Sequence, residues 1–207
     1  MRLLAIGDSI VAGVGARELT HALVGQTALS LSERYDVEVH WRAIGKIGIN
    51  AQSFLERYLS KLPDEQPDYV VVSLGVNDVT SLKTTRQWRR HLSTLFAELA
   101  ERYPDTLVAL AGVPPLAGFP LLPEPLRTLI ASRGEVFDAI GREVVEKHDN
   151  AIHVPVDFET LPERFADDGF HPSESSYQIF GQVMADAISR QRPPTSETVP
   201  ETFRSIA

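Results

Sequence analysis

Two kinds of apolar pattern alternate along the chain. Short runs rich in β-branched residues predict strands, and the longer segments between them show helical spacing. In Tyr69–Leu74 nearly every position is apolar, which is typical of a strand buried on both faces. The five predicted strands are Leu3–Ile6, Val37–Ile44, Tyr69–Leu74, Leu107–Val113 and Ala151–Val156.

Two of the helical segments carry a single apolar stripe, with residues recurring at three- and four-residue intervals. The first stripe comprises Trp88, Leu92, Leu95, Phe96 and Leu99, and the second comprises Tyr177, Phe180, Val183, Met184, Ala187 and Ile188. Strands that alternate with such helices indicate βαβ units and a parallel sheet covered on both faces. The sequence therefore predicts an α/β fold with a flavodoxin-like five-stranded parallel sheet in the order 2-1-3-4-5.

The length of 207 residues fits one domain, which we place at residues 1–190. Residues 191–207 lose the periodicity and gain proline, so they are predicted to form a C-terminal tail. The segment Val113–Pro125 combines five prolines with apolar residues directly after the fourth strand. It is expected either to pack against a helix or to form the wall of a pocket.

Composition narrows the classes of partner and cofactor. A net charge of -8 argues against nucleic-acid and anionic-membrane binding, which require clustered Lys and Arg. The absence of Cys excludes disulfides, thiolate metal sites and thiol nucleophiles. The sequence contains neither an HExxH metal motif nor a phosphate-binding loop, so no metal and no cofactor are predicted. No secretory signal and no membrane-spanning segment are recognisable, and we expect a cytoplasmic protein.

Polar, glycine-bearing segments follow four of the predicted strands. In an open parallel sheet, ligands bind at the carboxyl ends of the strands, so these segments are expected to share one edge. They are Gly7-Asp8-Ser9-Ile10, Gly45-Lys46-Ile47-Gly48-Ile49-Asn50, Gly75-Val76-Asn77-Asp78 and Asp167-Asp168-Gly169-Phe170-His171-Pro172.

Each segment also has an ordinary structural interpretation. Ser9 is suited to cap a helix, and Gly48 to adopt a positive φ before one. Asn77 is a common turn residue, as is Asp78 beside it. Asp168-Gly169 is a turn signal, and His171-Pro172 would then only introduce the last helix. His21, His40, His91, His148 and His153 are interpreted as surface histidines or as buried ones with satisfied hydrogen bonds.

Together the segments supply the parts of a serine hydrolase. A Ser nucleophile needs a neutral imidazole as base and a carboxylate that orients the imidazole, and Ser9, His171 and Asp168 offer these. The spacing Asp168-x-x-His171 allows both side chains to meet on one short loop. The backbone N–H groups of Ser9 and Gly48 and the side-chain amide of Asn77 are plausible donors to an oxyanion.

These four segments, in this order, resemble the four motif blocks of the SGNH hydrolases, also called GDSL esterases or lipases. The resemblance spans residues 7–172 and implies a three-layer α/β/α fold and cofactor-free hydrolysis of esters. It also implies that Ser9 is the nucleophile and His171 the base oriented by Asp168. The oxyanion hole would then consist of Ser9, Gly48 and Asn77.

Two positions depart from the family pattern. Ile10 stands where Leu is usual, and Ile47 and Ile49 flank Gly48 where small or polar residues are common. Gly45 is therefore a rival to Gly48 as donor. The larger α/β-hydrolase group is excluded because its Gly-x-Ser-x-Gly motif would need Gly where Val11 stands.

The function predicted from the sequence is that of a serine esterase acting on small carboxylic esters with short- to medium-chain acyl or aryl groups. A small-molecule ester is thus the expected partner, and the sequence gives no indication of an oligomeric state. Alternatives within the family are an acyl-thioesterase, a lysophospholipase or a carbohydrate acetylesterase. A more distant alternative is a non-catalytic module that binds phosphate or a nucleotide near Gly7–Gly15, which would leave Asn77, Asp168 and His171 without a role.

Overall fold

The sheet has the predicted parallel topology. A computed structural model describes residues 1–156 and 161–192 of the chain. Its five parallel strands lie in the order β2-β1-β3-β4-β5, so the predicted order is confirmed. Their bounds are β1 Arg2–Gly7, β2 His40–Gly45, β3 Tyr69–Ser73, β4 Leu107–Ala111 and β5 Ala151–Val154.

β2 begins three residues later than the sequence predicts, at His40 instead of Val37. The preceding helix ends at Tyr35 and is capped by Asp36, which adopts a left-handed conformation with a φ of 52°. The N–H of Val37 then donates to the carbonyl of Ser32, so this residue closes the helix and does not enter the sheet. Smaller differences of one or two residues occur at the ends of the other strands.

Six α-helices of the described residues cover the sheet. Their bounds are α1 Leu23–Tyr35, α2 Ala51–Arg57, α3 Val76–Thr80, α4 Thr85–Arg102, α5 Leu126–Val145 and α6 Glu174–Gln191. Because successive strand side chains point to opposite faces, each strand contributes to two cores. Leu3 and Ala5 of β1 pack with α1 and α6, whereas Leu4 and Ile6 pack with the core that contains α2, α4 and α5. The fold is a three-layer α/β/α sandwich.

The predicted stripe of α4 is fully buried from Trp88 to Leu99. The stripe predicted for α6 is wrong at Val183, which is 39% exposed, and Ala187 is only partly buried. Gly181 and Ala185 are buried in their place. The small residues face α1 because the two helices approach so closely that a Cβ at position 181 would lie 2.5 Å from Gln26 Cβ.

The segment 113–125 fulfils both roles that the sequence left open. It contains a short 3₁₀ helix, Leu116–Gly118, and buries Leu116 against Gly134 of α5. Phe119 is also buried and lines the cavity described below. Within the described residues, no helix is both long and apolar enough to span a membrane. Most of the predicted tail, from residue 193 onward, lies outside the described residues.

Candidate active site

The turn after β1 carries Ser9 over the carboxyl edge of the sheet. Gly7 ends the strand with a φ of +152°, and a Cβ there would lie 2.0 Å from the carbonyl oxygen of Ser73 in β3. Only glycine fits so close to the neighbouring strand. The N–H of Asp8 donates to the same carbonyl at 3.0 Å, and the N–H of Ile10 donates to Asp8 Oδ1 at 3.1 Å. Ser9 is therefore held in a hydrogen-bonded turn and is not the N-cap of a helix.

His171 reaches Ser9 from the segment that precedes α6. Its Nε2 lies 3.0 Å from Ser9 Oγ. Phe165 and Pro172 form an isolated antiparallel bridge, and the N–H of Ala166 donates to the carbonyl of His171 at 2.8 Å. This hairpin-like closure fixes the direction of the imidazole, although 162 residues separate it from Ser9.

Asp168 lies on the other side of the imidazole. Its Oδ2 is 2.6 Å from His171 Nδ1, while Oδ1 accepts the N–H groups of Phe170 and His171, each at 2.9 Å. Partial burial acts against the charge, but the hydrogen bonds from His171 and Phe170 outweigh it and lower the pKa of Asp168 below 3.8. An ionised Asp168 favours the tautomer with the proton on Nδ1, which leaves Nε2 free to accept a proton from Ser9. Asp168 thus both forms the turn that its ordinary structural interpretation predicts and contacts the imidazole of His171.

Asn77 lies in the first turn of α3 and directs its side-chain amide to the segment after β2. Its Nδ2 donates to the carbonyl of Ile49 at 3.0 Å and lies 3.4 Å from Asp8 Oδ2. The structure therefore brings Asn77 next to the turns that carry Ser9 and Gly48. It lines the same cavity as Ser9 and His171.

Gly45 and Gly48 differ in their surroundings. A Cβ at Gly45 would lie 2.3 Å from the backbone nitrogen of Ala12, so close packing of two backbones explains this glycine. Gly48 is exposed, has a φ of +74° and has open space where a Cβ would stand. Gly48 does not line the cavity, but it directly precedes Ile49, whose carbonyl accepts the amide of Asn77.

The cavity beside Ser9 encloses about 40 Å³ and is mainly apolar. Its aromatic wall consists of Phe119, Phe165, Phe170 and Phe180. The ring of Phe119 packs edge-on against Phe165 and Phe170, at centroid distances of 5.1 Å and 5.3 Å. Phe170 in turn packs edge-on against the imidazole of His171 at 5.2 Å. The segment 113–125 thus contributes to the site through Phe119.

Sequence reasoning missed the buried carboxyl groups and a charged contact around the site. Asp8 and Asp78 are buried at 2% and 0% exposure, and Glu174 binds Arg17 and His21. Asp8 and Asp78 directly neighbour Ser9 and Asn77, and this adjacency was the available signal. Of the other histidines, His153 is partly buried and lies 2.9 Å from Asp138 through its Nε2. The described residues contain no cluster of three or more His, Asp or Glu side chains that could hold a metal ion.

Comparison with known proteins places the chain in a family. A model of the GDSL-like lipase/acylhydrolase family matches residues 5–179. No curated protein sequence matches the chain.

Three solved structures illustrate the similarity of fold. A lipase from a goat rumen metagenome, Lip_vut3, has a TM-score of 0.75 at 17% identity, covering 90% of this chain and 97% of its own. A lipase/acylhydrolase from Enterococcus faecalis has a TM-score of 0.74 at 25% identity, covering 94% and 99%. A carbohydrate esterase family 2 enzyme from Corynascus thermopiles has a TM-score of 0.71 at 18% identity, covering 92% and 66%. Since the family model spans most of the 207 residues, the chain belongs to the GDSL-like lipase/acylhydrolase family, the SGNH hydrolases, and is a carboxylic ester hydrolase.

Proposed function

We propose that this hydrolase is a serine esterase that cleaves small carboxylic esters through an acyl-enzyme intermediate. Ser9 is the nucleophile, His171 the general base and Asp168 the carboxylate that orients it. The continuous series of contacts from Ser9 Oγ to His171 Nε2 at 3.0 Å and from His171 Nδ1 to Asp168 Oδ2 at 2.6 Å carries this proposal. These distances lie within hydrogen-bond reach, as proton transfer requires.

In the acylation step, Ser9 Oγ attacks the ester carbonyl carbon while His171 Nε2 takes the hydroxyl proton. The carbonyl oxygen becomes an oxyanion, which accepts hydrogen bonds from the N–H groups of Ser9 and Gly48 and from the amide of Asn77. The tetrahedral intermediate collapses as His171 returns the proton to the leaving alcohol. Water then attacks the acyl-enzyme by the same route and releases the carboxylic acid together with free Ser9.

The aromatic cavity supports esters with short- to medium-chain acyl or aryl groups. Rings of Phe119, Phe165 and Phe170 offer apolar contacts beside Ser9 and few hydrogen-bonding groups for the hydroxyls of a sugar. This favours simple esters over acetylated carbohydrates. A phosphate-binding module is disfavoured, because it would not need Ser9, His171 and Asn77 to line one cavity, nor Asp168 to bind the imidazole of His171.

Hydrolysis of p-nitrophenyl acetate, butyrate and octanoate by the wild type and by Ser9→Ala tests the proposal. We expect loss of turnover in Ser9→Ala with an unchanged melting temperature, because only a hydroxyl is removed. Ser132→Ala, which removes a hydroxyl that bonds Thr128 in α5, is the matched control and should retain full activity. A fluorophosphonate probe should label the wild type and the control but not Ser9→Ala. Activity retained in Ser9→Ala would refute Ser9 as the nucleophile.

A further inference from the structure

The buried carboxyl of Asp8 has no role in the proposed acyl-transfer steps. It is 2% exposed and makes no ion pair with any Lys or Arg of the described residues. Burial raises the pKa of the Asp8 carboxyl from 3.8 to about 7, even though the backbone N–H of Ile10 favours the charged form. A buried carboxyl without a cationic partner is costly for the folded state, so its contacts need an explanation.

The two oxygens of Asp8 serve two different parts of the site. Oδ1 accepts the N–H of Ile10 at 3.1 Å and so closes the turn around Ser9. Oδ2 lies 3.4 Å from Asn77 Nδ2. Above its pKa of about 7, the ionised carboxylate of Asp8 accepts on both oxygens, whereas an asparagine has only one acceptor oxygen for these two donors.

The contacts of Asn77 determine which end of its amide faces the site. An Asn side chain has two nearly isosteric orientations, and only its neighbours decide between them. The carbonyl of Ile49 and Asp8 Oδ2 are both acceptors, and both lie at the amino end of the Asn77 amide. In the flipped orientation, the amide oxygen would face two acceptors and would also face the oxyanion.

We propose that Asp8 is a positioning residue that keeps the amino group of Asn77 directed to the oxyanion site. The inference rests on the proposed function, since it assigns Asn77 as an oxyanion donor. The Ile49 carbonyl holds one amide hydrogen at 3.0 Å, and the longer 3.4 Å contact with Asp8 leaves the second hydrogen available to the oxyanion.

The other groups around Asp8 do not replace its carboxylate. The Ser73 hydroxyl forms a hydrogen bond with it, and the charge of Asp78 further raises the pKa of Asp8. Tyr177 of α6 is buried nearby, where burial and then the charge of Asp8 raise the pKa of the phenol. Asp78 itself accepts the N–H of Ala51 on Oδ2 at 3.0 Å, and its buried Oδ1 has no hydrogen-bond partner among the residues that the structure describes. Asn in place of Asp78 keeps an oxygen for Ala51 and puts its amino group where nothing is bound.

A double-mutant cycle on p-nitrophenyl acetate tests the proposal. Asp8→Asn should lower kcat by at least about 10-fold. The loss should not exceed the roughly 10²–10³-fold loss expected when an oxyanion donor is removed outright. KM should change by less than about 3-fold, because Asn77 acts on the transition state. In the Asn77→Ala background the same substitution should cost less than about 2-fold, since its target is gone. Asp78→Asn is the matched control and should leave kcat within about 2-fold of the wild type.

The outcomes separate the two proposals. Equal losses from Asp8→Asn with and without Asn77 would overturn the positioning role and indicate an independent effect on the Ser9 turn. An unchanged kcat would also overturn it. Absence of esterase activity in the wild type would instead contradict the proposed function.

If Asp8→Asn fails to fold, NMR of the side-chain amide of Asn77 in the His171→Ala protein provides the test. Its resonances should shift between pH 5.5 and 8.5 with a midpoint near 7, the pKa of Asp8, and the shift should persist when Asp78 is replaced by Asn. Amide resonances that do not change over this range would refute the contact with Asp8.

Discussion

Two glycines of the segment after β2 are held by different constraints. Gly45 faces the backbone of Ala12 so closely that a side chain would overlap with it. Gly48 has open space around it, but its φ of +74° lies in the region that side chains disfavour. The first glycine is required by its neighbours and the second by its own backbone.

Alanine at each position separates these constraints. Gly45→Ala should destabilise the protein by about 1–3 kcal/mol or more, because two backbones must separate. Gly48→Ala should cost about 1 kcal/mol, the strain of a left-handed alanine. Urea unfolding followed by circular dichroism measures both values. Gly48→Ala leaves the backbone N–H in place. The esterase activity of this variant, at urea concentrations too low to unfold it, should therefore stay within a few-fold of that of the wild type. A larger loss of stability in Gly48→Ala than in Gly45→Ala would contradict this view.

The positions of the candidate site residues were predictable because each residue lies in a segment that follows a strand. The sheet collects the four strand ends, so Ser9, Asn77 and His171 could be placed at one edge from the sequence alone. The burial of Asp8 could not be predicted in this way. It depends on Ser73 of β3 and Asn77 of α3 closing over the turn, which is a packing outcome that no local pattern encodes.

A charged contact joins the segment after Ser9 to the start of α6. Glu174, in the first turn of α6, accepts the backbone N–H of Arg17 at 2.9 Å and the guanidinium at 2.9 Å and 3.1 Å. The imidazole of His21 lies 3.2 Å from the same carboxylate. The hydrogen bonds from Arg17 are the main reason why the pKa of Glu174 falls from 4.5 to about 2. This contact connects the Ser9 segment with the helix that follows His171.

Glu174→Gln should lower the melting temperature at pH 7 by a small amount, because the contact is exposed to solvent and salt. The folded-state pKa of Glu174 is lowered, so its contribution to stability is present above about 4.5 and is lost as the pH falls towards 2. The difference in melting temperature between the wild type and the variant should therefore shrink below pH 4.5. Calorimetry between pH 3 and 8 measures it, and a difference independent of pH would contradict the assignment.

Segment 113–125 contributes one ring, that of Phe119, to the aromatic wall of the cavity beside Ser9. Phe119→Leu removes one ring of the edge-on cluster with Phe165 and Phe170 and enlarges the space beside Ser9. The ratio of kcat/KM for p-nitrophenyl octanoate to that for the acetate should rise several-fold. Phe137→Leu is the control, since Phe137 stacks on Trp88 in the core and does not line the cavity. A similar change of the ratio in both variants would indicate general loosening of the fold.

For the molecule as a whole, the contact between α1 and α6 joins the two ends of the described chain. Gly181 lies directly against Gln26 and Thr27, with 2.5–2.7 Å between its would-be Cβ and their atoms. Periodicity predicted the helix but placed Val183 on the buried face. Apolar spacing identifies a stripe, yet the distance between two helices decides whether a large or a small residue fits it.

Gly181→Ala should separate the two helices and destabilise the protein by about 1–3 kcal/mol. Because α6 follows His171 directly, kcat should fall together with stability. Ala187→Gly is the comparison on the same helix, since it carries the general cost of glycine in a helix, about 1 kcal/mol, at a partly buried position and adds no atom between the helices. Urea unfolding and esterase assays on both variants provide the measurement. A Gly181→Ala protein as stable as the wild type would contradict this prediction, because the two helices could then move apart without a loss of stability.

The separation of 162 residues between Ser9 and His171 has a consequence for the biogenesis of the enzyme. A chain still being synthesised can complete its first three strands long before His171, the proposed base, has been added. Catalytic competence thus arises only when the closing helix docks, and long-range contacts of this kind form slowly. The rate at which esterase activity appears during refolding should then report the rate of this final assembly step. Chains that end before His171 should not hydrolyse esters.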